Sequence, residues 1–221
     1  MIARLRAEWR LKLVLLVVIN AVFWSAYELL AHRAFFPLRS VPVTSLDAAV
    51  PFQPDPWAWV YLSQYLFTGT LPLLLTSREA IRRYVAALAT MSLSGFAFFL
   101  FFPTAGPRPT EVSGSLAMRW IAACDGTLNA FPSLHAAFIV CMSRLAWRMF
   151  GHEHSRCVVA VSVLWGGAIL FSTLATKQHY ALDLVAGAVL GWLADRLAWR
   201  GASATLMMPF KSGSTSQRGA R

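Results

Sequence analysis

The chain of 221 residues is 57% hydrophobic and 14% charged, with a mean hydropathy of +0.53, whereas a soluble domain carries about a quarter charged residues. That balance argues against a soluble globular fold, and the 15 Phe and 9 Trp argue equally against disorder. The net charge of +10 raises a nucleic-acid reading, which stands or falls on where the cations sit.

A bilayer core about 30 Å thick needs roughly 20 apolar residues as a helix, and six segments approach that length: about 12–31, 57–76, 81–103, 133–150, 157–176 and 181–199. The first follows a basic start (Arg4, Arg6, Arg10, Lys12). Its apolar run is too long for a signal-peptide core and lacks a small-residue cleavage site, so it reads as an anchor. Two proline-rich connections, 32–56 and 104–131, are the long loops. Cys124, Cys141 and Cys157 are an odd number, two of them in apolar stretches, and read as packing residues. Gly187 and Gly191 form a small-xxx-small pair that predicts close helix packing in the last span. No internal repeat is visible, and the Ser/Gly/Arg-rich end, 211–221, reads as a flexible cytoplasmic tail. The expected fold is a single all-α membrane domain over 1–210, a six-transmembrane-helix bundle.

With a cytoplasmic N-terminus, fifteen Lys and Arg residues fall inside and only Arg33, Arg39, Arg108, Arg119 and Lys177 fall outside. This satisfies the positive-inside rule with both termini cytoplasmic. The basic excess is therefore topological, and no nucleic-acid partner is expected.

Ionisable groups at membrane depth are costly, so each needs an explanation. Arg144, Arg148, Asp195 and Arg196 fall near cytoplasmic span ends, where they can snorkel, and His152 and His154 lie in a short inside loop. Glu28 and His32, at the outer end of the first span, read as interface residues or as partners of a site. What remains gathers on the outer side: Arg108, Ser133, His135, Ser172, Lys177, His179 and Asp183. The i,i+4 spacing of His179 and Asp183 predicts one helix face, where the carboxylate fixes the imidazole tautomer and frees the other nitrogen. Ser172 falls two turns earlier on that face if the helix is unbroken. His135 follows Pro132 in the first turn of the fourth span, with Ser133 placed as its cap. Such a helix start suits an anion, and Arg108, stiffened between Pro107 and Pro109, can offer its guanidinium fork to the same anion. Two histidines, one carboxylate and an anion cradle describe phosphoryl transfer through a phosphohistidine.

The ordered set Arg108-Pro109, Pro132-Ser133-Leu134-His135, Ser172-Thr173, His179 and Asp183 resembles the three-part signature of the type 2 phosphatidic acid phosphatase superfamily, K-x6-RP, PSGH and SR-x5-H-x3-D, over about residues 80–195. The resemblance implies a six-span bundle with an outward-facing site. In it His179 is the nucleophile, Asp183 its orienting partner and His135 the acid, with Arg108 and Ser133 on the phosphate, where Leu134, Ser172 and Lys177 are expected as further ligands. Phe101 stands at the family's lysine, Leu134 at its glycine and Thr173 at its second arginine, so two of three phosphate-binding cations are missing. Phe131 to Ala136 and the Phe-Pro-Thr-Ala run before Arg108 are more similar to the inositol phosphorylceramide synthase branch, which moves a phospho-headgroup between lipids. Lys177 is the cation placed to replace lost charge, although on a continuous helix it points about 160° away from His179.

The expected function is that of a cofactor-free, metal-independent lipid phosphatase or lipid phosphotransferase. Its substrate is a lipid phosphate or phosphodiester at the extracytoplasmic face, and the acceptor is water or a lipid alcohol. Two other readings stay open: a proton-coupled transporter or scramblase using His179 and Asp183 as a relay, and a metallohydrolase with His135, His179 and Asp183 as ligands.

Overall fold

The computed structural model describes residues 2–109, 115–151 and 156–202. The tail expected from Lys211 and the loop histidines His152 and His154 lie outside the described residues. In chain order the elements are α1 (Ile2–Arg6), α2 (Trp9–His32), β1 (Arg39–Ser40), α3 (Ser45–Ala49), α4 (Trp57–Leu62), α5 (Gln64–Leu73), α6 (Arg78–Phe101), β2 (Thr104–Ala105), α7 (Leu116–Cys124), α8 (Leu134–Phe150), α9 (Arg156–Ala175) and α10 (Ala181–Ala198).

Helices occupy all six apolar segments, but they are not equivalent. Only α2, α6 and α9 are long and apolar enough to cross a membrane among the described residues. The second segment is two helices, α4 and α5, interrupted at Ser63, whose hydroxyl donates to the Val60 carbonyl at 2.6 Å. Helix α8, with 17 residues, spans about 26 Å, and α10 carries Asp183, Asp195 and Arg196. On α2, Leu13, Val14, Val17, Val18 and Val22 are each more than half exposed. A continuous apolar face of this kind belongs in lipid rather than water.

Helix α8 lies at the centre, against α10, α9, α5 and α6. Its buried Leu134, Ala137, Cys141, Met142, Leu145, Ala146 and Met149 join residues from α2, α5, α6 and α10 in the main core. The closest approach is between α8 and α10, and two glycines permit it. A Cβ on Gly187 would sit 2.0 Å from the Ser133 carbonyl oxygen, and one on Gly191 2.2 Å from that of Ala137. The expected packing face is thus present, and it sets the start of α10 beside the start of α8.

Above this end the long connections are tied together. Strands β1 and β2 pair in parallel, Arg39 with Thr104 and Ser40 with Ala105, while Ala130 donates to the Thr104 carbonyl at 3.0 Å. The short helix α3 is capped by Thr44 and Asp47 in reciprocal bonds. The buried Asp47 carboxylate also accepts from the Ala181 backbone at 2.7 Å, so the loop grips the first residue of α10.

Candidate active site

Ser133 caps α8 as expected, accepting from the Ala136 backbone at 3.2 Å. Its own N–H donates to the Asp183 carbonyl at 3.1 Å, which fixes the two helix starts relative to one another. His135 follows in the first turn. His179 does not lie on a helix face with Asp183: α9 ends at Ala175, and His179 sits in the turn before α10. The pairing survives because Asp183, in the first turn of α10, reaches back over the helix start. One carboxylate oxygen accepts from the Tyr180 backbone at 2.9 Å and the other faces His179 Nδ1 at 3.2 Å. Asp183 is wholly buried and His179 is 5% exposed.

The two imidazoles meet directly, His135 Nδ1 lying 2.9 Å from His179 Nε2. On its other side His135 Nε2 lies 2.7 Å from the Tyr61 hydroxyl, which donates to an Asp125 carboxylate oxygen at 2.5 Å. Tyr27 donates to the second oxygen of Asp125. An unbroken series therefore runs Asp183, His179, His135, Tyr61, Asp125, Tyr27. Burial pushes the Asp125 carboxyl up, but His135, the Arg108 guanidinium and the two tyrosine hydroxyls outweigh it and hold the group below the ordinary carboxylate value.

Tyr61 donates to Asp125, which leaves its oxygen to accept from His135 Nε2–H and turns His135 Nδ1 toward His179 Nε2, while His179 Nδ1 faces Asp183.

Arg108 stands beside this pair, donating to the Gly126 carbonyl at 2.8 Å and to the Gln178 side chain. Leu134 packs its side chain against Gly95 in the core. Two expected ligands are engaged elsewhere. The Ser172 hydroxyl donates to the Ile169 carbonyl of its own helix at 2.6 Å, and the helix break at Ala175 removes the shared face with His179. The Lys177 ammonium donates to the Asp47 and Val50 carbonyls at 2.8 and 2.5 Å, from a residue with φ of 54°. It fastens the α9–α10 turn to the loop instead of reaching the histidines. Glu28 and His32 pair with each other at 3.3 Å with side chains about half exposed, as interface residues do.

Sequence reasoning missed Tyr27, Tyr61, Asp125 and Gln178. Asp125 alone carried a signal, as an acid in the loop between the Arg108 and His135 motifs. The tyrosines sit in apolar spans, where a phenol tip is indistinguishable from an interfacial aromatic until helices are docked. Among the described residues, no group of three or more His, Cys, Asp and Glu side chains is arranged to hold a metal ion.

His135 opens onto an apolar cavity of about 320 Å³ between α2, α5, α6 and α8. His135, Asp125 and Tyr27 line one end and Lys12 the other, with Leu15, Phe23, Trp24, Leu88, Phe138 and Met142 between them. From Lys12 to Tyr27 along α2 the cavity wall is about 22 Å long.

No curated protein and no solved structure matches the chain. A family model described as the PAP2 superfamily matches residues 38–197, a stretch that holds both histidines, Asp183 and Arg108. With most of its length covered by that match, this helical membrane chain belongs to the PAP2 superfamily, whose members are phosphatases and phosphotransferases.

Proposed function

We propose that the protein is a metal-independent lipid phosphatase or phospho-headgroup transferase that works through a phosphohistidine on His179, with six spans, cytoplasmic termini and its site at the extracytoplasmic face. The observation that carries this reading is the direct contact between His135 and His179, with a buried carboxylate behind His179 and Arg108 alongside.

The substrate phosphate enters between the two rings and meets Arg108, the Ser133 cap and the backbone N–H groups at the start of α8. The reaction starts with the His179 Nε2 lone pair free and with a proton on His135 Nδ1. Nε2 attacks phosphorus. As the N–P bond forms and the P–O bond breaks, His135 Nδ1 gives its proton to the departing oxygen. Asp183 keeps the His179 Nδ1–H and stabilises the ring as charge develops. In the second half His135 Nδ1 takes a proton from the acceptor hydroxyl, its oxygen bonds phosphorus and the N–P bond breaks. Water as acceptor gives a phosphatase, and a lipid alcohol gives a transferase. The apolar cavity reaching His135 accommodates a hydrocarbon chain on either the leaving or the accepting lipid.

The charge balance favours a diester donor, as in the inositol phosphorylceramide synthase branch. Lys177 is turned away and Arg108 brings one guanidinium to the pair, fewer fixed cations than the three of the family pattern, which suits a monoanionic diester better than a dianionic monoester. The purified protein should be incubated with lipid phosphates and phosphodiesters, with and without a lipid alcohol, in EDTA. Turnover in EDTA giving free phosphate or a new lipid supports the proposal. Loss of turnover in EDTA and its return with zinc would replace it by the metallohydrolase reading.

A further inference from the structure

The two histidines are supported from opposite sides. His179 has Asp183 directly on Nδ1. His135 has a carboxylate too, but one step away: Nε2 meets the Tyr61 hydroxyl, which donates to Asp125, and Tyr27 holds the far oxygen of Asp125. Tyr61 comes from α4, Asp125 from the end of α7 and Tyr27 from α2, so three elements outside the matched motifs converge on one ring. Tyr61 is 1% exposed, and its ring lies tilted against that of His135 with centroids 5.0 Å apart. The main-chain carbonyl of Asp125 also lies 3.4 Å from the Arg108 guanidinium. The carboxylate thus shares its loop with the phosphate cation.

We infer that Tyr61 and Asp125 are positioning residues that make His135 the acid: the phenol oxygen accepts the Nε2 proton and the carboxylate behind it steadies the imidazolium, leaving Nδ1 as the nitrogen that delivers a proton. This rests on the phosphohistidine reading above. The geometry dictates the direction. With the Tyr61 proton directed to Asp125, His135 must present N–H at Nε2, so the nitrogen facing His179 and the incoming phosphate carries a proton only in the charged ring. When His135 delivers that proton to the leaving oxygen it returns to the neutral Nε2–H tautomer without rotating, ready to accept a proton from water or alcohol at Nδ1. No bond in the Tyr61–Asp125 pair changes through the cycle. Without the phenol or the carboxylate, the neutral ring is free to place its proton on Nδ1, and the imidazolium loses its counter-charge.

The test compares Tyr61→Phe and Asp125→Asn with the unaltered full chain in detergent, using an alkyl phosphate ester and an aryl phosphate ester whose phenolate leaves without a proton. Both variants should lose about 10-fold to 10²-fold in kcat on the alkyl ester, part of the 10²–10⁴-fold that an acid contributes. KM should stay nearly unchanged, and the loss on the aryl ester should be less than about threefold. Tyr61→Phe removes one oxygen and keeps the buried ring, so aryl-ester turnover also reports that the protein is folded. Equal losses on both esters, or a loss confined to KM, would overturn the inference in favour of a packing role. His179→Ala run alongside separates the two levels of the account. If it keeps turnover, the phosphohistidine reading falls; if it is inactive while Tyr61→Phe and Asp125→Asn match the unaltered protein on both esters, only the relay falls.

Discussion

Asp183 and Asp195 are separated by about 18 Å of α10, and neither is exposed to solvent. Near one end Asp195 accepts from Arg144 and, at 2.6 and 3.2 Å, from Arg148, both on α8. These arginines do not snorkel as the sequence led one to expect. They turn inward with side chains about a third exposed and neutralise a carboxylate that would otherwise be unsupported between helices. Near the other end Asp183 faces an imidazole and a backbone N–H from the α9–α10 turn. A guanidinium never releases its proton, so the Asp195 cluster is a fixed clamp. An imidazole does, so the same residue type on the same pair of helices becomes part of a proton-handling series. What a buried aspartate does is decided by whether its partner titrates.

Breaking the histidine end should have the largest effect. His179→Ala is expected to abolish turnover on every ester, because it removes the proposed nucleophile. His135→Ala should cost about 10²–10⁴-fold on an alkyl ester and much less on an aryl ester. Rescue of His179→Ala, but not His135→Ala, by the aryl leaving group would reverse the two roles. Asp183→Asn should leave lipid binding nearly intact while the rate falls strongly, through loss of the tautomer and of the charge that stabilises the imidazolium.

The arginine end should respond in stability instead. Asp195→Asn leaves two guanidinium groups without their counter-charge, and the partly exposed setting puts the loss at about 1–3 kcal/mol. Thermal unfolding in detergent should report it, with kcat per folded molecule unchanged. A selective loss of kcat with no change in melting would mean that this cluster takes part in the reaction.

The smallest change is expected at Lys177, where the structure departs most from the sequence reading. Lys177→Met should remove the tie to the Asp47 and Val50 carbonyls at a cost of about 1 kcal/mol and leave KM for a lipid phosphate unaltered. A tenfold rise in KM would return the ammonium to the phosphate site.

These contrasts also explain what the sequence made legible. Helix positions were readable because apolar runs of fixed length report helices locally, and the Ser133 cap and Gly187–Gly191 face rest on short-range rules. The His179–Asp183 contact was readable from its spacing even though the helix supposed to present it does not include His179. Four residues apart is close enough for a carboxylate in the first turn to reach back. Ser172 and Lys177 are placed apart from the histidines for the same local reason: the chain leaves the helix at Ala175, and Lys177 adopts a left-handed backbone there. The break at Ser63 was hidden by continuous hydrophobicity. Tyr61, Asp125 and Tyr27 could not be found by spacing, since their meeting depends on how α2, α4 and α7 dock around α8.

The central claim is that phosphorus bonds to His179. The most direct measurement is to mix the protein with a phosphate ester labelled at phosphorus, quench within one turnover in alkali and map the labelled peptide. The account predicts an alkali-stable, acid-labile phosphoramidate on the peptide containing His179, absent from His179→Ala and formed by His135→Ala with the aryl ester. Label on a different residue, or rapid turnover with no labelled protein at any quench time, would contradict it.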